Sequence, residues 1–211
     1  MRKTLLFAQV LLRVLFLLSI ILFWISNGIG VNSKAQAGIP LLTTEYNRYY
    51  TASGMDFAVA GDTLYVLFDS RCELQCFDLQ GKFKNAYSFK GYQNGRSILY
   101  CDNSTLYLKD REYNYYAFQD GLFLEYFDHS EDKQAITDFS TQFSEDKHST
   151  ASAVFYKNGA SIWRESDAES VEVIHRPFWT LFFQNGTPII FGMVCFFLSF
   201  ILSILRKKLG Q

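Results

Sequence analysis

Three histidines and four cysteines are the ligand-type and nucleophilic side chains of this 211-residue chain, and their spacing limits what they can do. His129 and His148 flank a stretch that carries Glu131, Asp132, Glu145 and Asp146, donor types suited to a divalent metal. A helix between them would hold the two imidazoles roughly 20 Å apart, too far for one ion, so they read as solvated surface. Cys72 and Cys76 are separated by three residues, and Cys101 follows in the next repeat. Outside a reducing compartment these could form a Cys72–Cys76 or Cys76–Cys101 disulfide. Three cysteines leave at least one unpaired, and buried free thiols are the alternative. No second cysteine pair or neighbouring histidine completes a zinc site. The nucleophile elbow G-x-S-x-G, the H-E-x-x-H metal motif and Gly-rich phosphate loops are absent. The chain is therefore expected to hold no catalytic or metal-binding residues and no cofactor. Tyrosine is the residue type left: Tyr46, Tyr49 and Tyr50 form one cluster, and Tyr113, Tyr115 and Tyr116 a second. Such clusters bind glycans or protein partners, or fill cross-strand pairs within a sheet.

The elements that must carry these residues are announced by charge. All 21 acidic residues fall between Glu45 and Glu172, a stretch holding 12 of the 20 basic residues and hence a net charge of −9. The other basic residues, Arg2, Lys3, Arg13, Lys34, Arg176, Arg206, Lys207 and Lys208, flank it with no acid among them. An acidic middle repels phosphate, which argues against nucleic acid as a partner. Basic, otherwise apolar ends suit a lipid bilayer.

From Thr4 to Ile25 the sequence is apolar apart from Gln9 and Arg13, long enough to span hydrocarbon. Arg13 is expected at the start of the embedded part, its guanidinium reaching back to the headgroups. An alternative is a signal peptide cleaved after Ala37, which would leave a single-pass protein. Pro188 to Leu205 carries no charge and ends in Arg206-Lys207-Lys208, a stop flanked by cytoplasmic positive charge. The expected topology in the cell membrane is two helices with both termini cytoplasmic, residues 1–31 and 177–211 supplying the anchors and 32–176 lying outside. Gly192, Cys195, Ser199 and Ser203 share one face of the second helix, where small side chains let helices approach. The first helix, a second copy or another protein could fill that face.

Between the helices the pattern alternates with period two and is punctuated by turn residues. Strands read as Met55–Ala60, Thr63–Asp69, Leu74–Gln80 and Phe83–Phe89, with reversals such as Gly61-Asp62 and Gly81-Lys82. The scheme recurs: Thr63-Leu64-Tyr65 matches Thr105-Leu106-Tyr107, and Phe77, Gly81 and Phe83 match Phe118, Gly121 and Phe123. The leucines of each unit take one face of the pleat and the tyrosines the other. Units are expected at about 55–90, 96–127 and, more loosely, 152–176, with a short amphipathic helix over 131–144 covering a sheet edge. The unit resembles a β-propeller blade of the NHL kind, in which strand three ends in an F/Y-D-x-x-G-x-F turn. That resemblance implies antiparallel meanders packed face to face. The fold class expected is mainly β: two to three blade-like meanders, as an incomplete propeller or stacked sheets, flanked by transmembrane helices. The function expected is non-enzymatic binding, with a protein partner or a homo-oligomer. The alternatives are a small accessory subunit of a membrane complex and, less favoured by the motifs, a surface hydrolase.

Overall fold

The computed structural model describes residues 2–27, 38–46, 55–89, 97–102, 104–110, 114–127, 147–177, 180 and 187–208. Among the described residues two long helices, α1 (Arg2–Asn27) and α2 (Thr187–Lys208), enclose thirteen strands in sequence. Three antiparallel sheets result. Sheet 1 joins β2 (Met55–Ala60), β3 (Thr63–Phe68), β4 (Glu73–Phe77) and β5 (Phe83–Ser88) in a meander. Sheet 2 repeats it with β6 (Ile98–Asp102), β7 (Thr105–Lys109), β8 (Tyr115–Gln119) and β9 (Leu122–Phe127). Sheet 3 is β10 (Lys147–Ser149), β11 (Val154–Asn158), β12 (Ser161–Glu165) and β13 (Ser170–Ile174).

The turns follow from local chemistry. Ala60 pairs with Thr63, leaving Gly61-Asp62 as a two-residue hairpin loop with Gly61 at φ +55°. Asp120 and Gly121 both take left-handed backbone between the paired Gln119 and Leu122, the geometry that matches strand twist. After β4 the Asp78 carboxylate accepts the Gln80 and Lys82 amides at 2.9 and 2.8 Å, which shapes the loop around Gly81. The repeat extends to an irregularity: the ladder slips at Cys76/Phe77 in sheet 1 and at Ala117/Phe118 in sheet 2. One extra residue on the fourth strand, Lys84 or Leu124, makes the bulge in each case.

The sheets stack in the order 2, 1, 3. One core cluster joins Tyr65, Leu67, Leu74 and Tyr87 of sheet 1 to Leu106 and Phe118 of sheet 2. The other joins Leu64, Val66 and Phe77 of sheet 1 to Phe155, Ile162 and Ile174 of sheet 3. Sheet 1 is thus covered on both faces, and every residue of β3 is buried. Side chains of this size contribute about 1.5–3 kcal/mol each when taken out of water.

Two strands depart from the expected units. β1 (Leu41–Thr43) adds a fifth strand to sheet 1 along β5, pairing Leu41 with Ser88. β10 opens the third unit at 147, ahead of the expected boundary at 152, and pairs His148 with Phe155. The segment expected to form a helix over 131–144 lies outside the described residues.

The two helices are long and apolar enough to cross a membrane, over Lys3–Trp24 and Pro188–Lys208. Phe7, Leu17, Phe197 and Phe200 point away from the protein, as lipid-facing side chains do.

Candidate functional site

Beside the apolar cluster, sheet 2 is joined to sheet 1 by hydrogen bonds to the turn at Gly121. The buried Tyr65 hydroxyl accepts the Gly121 amide at 2.9 Å. Gly121's carbonyl accepts from the Tyr87 hydroxyl and from Asn85 Nδ2, each at 3.1 Å. Tyr87 also accepts the Phe123 amide at 3.1 Å. Burial raises the Tyr65 and Tyr87 phenols above their ordinary pKa, so both stay neutral and able to exchange these bonds. Sheet 1 meets sheet 3 in the same manner. A Cβ added at Gly81, where φ is +84°, would run into the Val173 carbonyl oxygen. The cations Lys157 and Arg164 reach across to the Met55 and Leu79 carbonyls at 3.0 and 3.4 Å. In each interface, then, the turn between the third and fourth strands of one sheet seats on the next sheet.

That leaves the face of sheet 2 turned away from sheet 1. Cross-strand register sets Ile98 beside Lys109 and Tyr115, and Tyr100 beside Tyr107 and Ala117. Ile98, Tyr100, Tyr107, Lys109 and Tyr115 line a shallow, open groove. The Tyr100 and Tyr107 rings lie 6.4 Å apart at 40°, and the Lys109 ammonium sits 5.9 Å from the centre of the Tyr115 ring. Partial burial raises the Tyr107 phenol, with Asp102 and Glu125 adding to the shift. Such a surface offers aromatic faces, one cation and two carboxylates to a ligand.

Of the tyrosines singled out by sequence, Tyr115 lies in this groove. Tyr116 does not: it is 1 % exposed, packs in the core between sheets 1 and 2, and hydrogen-bonds Asp110 at 3.3 Å. Adjacent strand residues point to opposite faces, so the pair was divided by the pleat. Tyr46 packs against Phe83 and Phe77, with centroids 5.1 and 5.8 Å away, far along the chain from the groove. Tyr49, Tyr50 and Tyr113 lie outside the described residues. Tyr100 and Tyr107 were missed as site residues, although their alternation with Leu99, Leu106 and Leu108 marked them as outward-facing.

The four cysteines are free thiols. Cys72 and Cys76 stand at one end and near the other end of extended β4, roughly 13 Å apart along the strand, beyond disulfide reach. Burial pushes the Cys76 and Cys101 thiols up to about 12. Among the described residues no group of three His, Cys, Asp or Glu could hold a metal. His148 packs edge-on to Phe57, its ring 5.0 Å away, and His175 Nδ1 lies 3.0 Å from Glu172. Asp110 is buried and closes its loop by accepting the Asn114 amide at 2.9 Å.

In the helix pair, Gly192, Cys195 and Ser199 are buried and Ser203 is half-buried. They face α1: a Cβ at Gly192 would meet Ser19 Oγ, Phe16 stacks on Phe196 at 5.3 Å, and Arg13 Nε donates to Ser199 Oγ at 3.4 Å. As α1 descends from Ser19 to Arg13, its neighbours on α2 climb from 192 to 199, so the helices are antiparallel and Lys3 comes level with the basic end of α2. Counted along the Lys3–Trp24 span Arg13 is central, and Ser199 supplies a hydroxyl acceptor beside it.

No protein-family model matches the chain, and no curated protein aligns with it significantly.

Proposed function

We propose that this chain is a membrane-tethered binding module, with its β-domain outside the cytoplasm and the tyrosine groove of sheet 2 receiving a protein segment. The segregation of acids to the middle and of basic residues to both ends supports the topology. The observation that carries the binding reading is the repeat equivalence of two faces. Tyr107, Ala117 and Glu125 occupy in sheet 2 the register positions that Tyr65, Cys76 and Asn85 occupy in sheet 1. In sheet 1 those positions form the surface on which a β-turn seats. The sheet 2 face is thus built on the same plan, with Tyr100, Lys109 and Tyr115 in place of Ala58, Leu67 and Leu74. More polar side chains suit a surface that is also stable without its partner. Glu125 accepts hydrogen bonds where Asn85 donates one, which selects for an incoming turn that presents a donor. The head-to-tail stacking itself is what consecutive propeller blades would do, and we read the domain as a blade-like segment.

The test is protease access in intact cells, combined with cross-linking capture by the full chain and by a Tyr107→Ala/Tyr115→Ala variant. The expected result is cleavage of the central domain from outside, and a captured protein that the variant loses while its circular dichroism is unchanged. Protection of the domain, or capture indifferent to both tyrosines, overturns the reading.

A further inference from the structure

One charged residue lies well inside a membrane-length helix: Arg13 of α1. It lies ten residues from one end of the Lys3–Trp24 span and eleven from the other, roughly 15 Å from either. It is exposed at the flank of the helix pair. Of the five N–H donors of a guanidinium, Nε alone has an acceptor among the described residues, the Ser199 hydroxyl. That bond fixes the side chain across the seam instead of leaving it to extend along α1 towards the headgroups. Leu6, Val10 and Leu17 of α1 are each about half exposed. Those residues sit at seven, three and four positions from Arg13, the spacing by which one helix packs along another. One turn away, Gln9 is buried with its Oε1 lacking a partner among the described residues, so the seam adds polarity without adding negative charge.

We infer that Arg13 docks a membrane helix of a different protein, one that carries an aspartate or glutamate at mid-span. The free end of the planar guanidinium, Nη1 and Nη2, is matched by a carboxylate accepting two parallel hydrogen bonds. A charge in hydrocarbon is retained where it is paired. A second copy of this chain cannot supply the carboxylate, because every acid lies between Glu45 and Glu172 and none is in either helix. This would make the chain a subunit of a membrane complex, independently of what the groove binds.

The test places a photo-cross-linking amino acid at Val10 or Leu17 of the full chain in its native membrane and identifies the cross-linked peptide by mass spectrometry. The expected adduct is a membrane helix bearing Asp or Glu. Its yield should fall about tenfold or more in Arg13→Leu, survive in Arg13→Lys, and fall likewise when the partner's acid is changed to its amide. Ser199→Ala, which keeps the charge but frees the guanidinium to extend towards the headgroups, should lower the yield less than Arg13→Leu does. Adducts to lipid alone, a cross-linked helix without an acid, or equal yields with Arg13→Leu overturn the proposal. None of these outcomes depends on Tyr107 or Tyr115, so failure here leaves the groove's function standing.

Discussion

Tyr65→Phe removes one oxygen from the interface between sheets 1 and 2 and nothing else. Tyr65 is 0 % exposed, and its hydroxyl is the acceptor for the Gly121 amide at 2.9 Å. Phenylalanine fills the same space and spares the cost of burying a hydroxyl, yet it leaves a buried N–H with no acceptor, and that penalty of about 1–3 kcal/mol dominates. Tyr87→Phe should cost less, about 1 kcal/mol, because the Gly121 carbonyl keeps its bond from Asn85 and the Phe123 amide is only part-buried. Since both hydroxyls hold the same turn, the double variant should deviate from additivity by about 0.5 kcal/mol or more. The assay is urea unfolding of the full chain in mild detergent, followed by circular dichroism and by tryptophan fluorescence. Trp163 lies in sheet 3, remote from the turn, so once Trp24 and Trp179 are replaced by Phe, coincident transitions by both probes would show the sheets unfolding as one unit. A Tyr65→Phe midpoint indistinguishable from the parent, or a larger loss in Tyr87→Phe than in Tyr65→Phe, would refute the role assigned to Gly121 as the seat of sheet 2.

Gly81→Ala should destabilise the β-domain by about 3 kcal/mol or more, since a Cβ both requires left-handed backbone and collides with the Val173 carbonyl. Gly159→Ala, also left-handed but with nothing within 4 Å, should cost about 1 kcal/mol, and equal losses in parallel urea melts would contradict the sheet 1–sheet 3 contact. Stability should also fall in alkali. Cys76 and Cys101 titrate near 12 when folded against an ordinary 9.0, and burial raises the Tyr65 and Tyr116 phenols as well. Above pH 9 the unfolded chain releases protons that the folded chain retains, so the contribution is complete below that pH and is lost as pH rises towards 12. The urea midpoint should be flat up to about pH 9 and then decline, less steeply in Cys76→Ala; a midpoint that rises with pH would show that these groups are not buried as described.

How much of this was readable from sequence depended on whether the signal was periodic. The meanders of sheets 1 and 2 were legible because Leu64, Tyr65 and Val66 alternate as Leu106, Tyr107 and Leu108 do, with glycine turns at matching places. β1 and β10 were not, because three residues such as Leu41–Thr43 or Lys147–Ser149 are too short to show a period and gain their hydrogen bonds only from a neighbouring strand. The small-residue face of α2 was visible in spacing, but only the structure identifies α1 as what fills it. Candidate residues chosen by adjacency fared worst. Tyr115 and Tyr116 are neighbours in sequence and lie on opposite faces, and Cys72 and Cys76 are held apart by the strand between them.

The stacking order explains why two related positions acquire different roles. Sheet 1 is first in sequence but middle in space, so its Tyr65 meets sheet 2 and its Leu64 meets sheet 3. Sheet 2 packs its leucine face against sheet 1, which turns the counterpart of Tyr65, Tyr107, outward into the groove. The repeat sets the register of both tyrosines, and the position of each sheet in the stack decides whether the hydroxyl is used inside the fold or offered outside it. A hydroxyl buried in the middle sheet needs a partner inside the fold, and Tyr65 finds one in Gly121. A sheet at the end can keep charged neighbours, and Lys109 stands where sheet 1 has Leu67 because solvent on that face tolerates an ammonium. The same logic makes Lys109→Leu informative: it restores the apolar pattern of the covered face, and it should promote self-association of the β-domain if that pattern is what commits a face to burial.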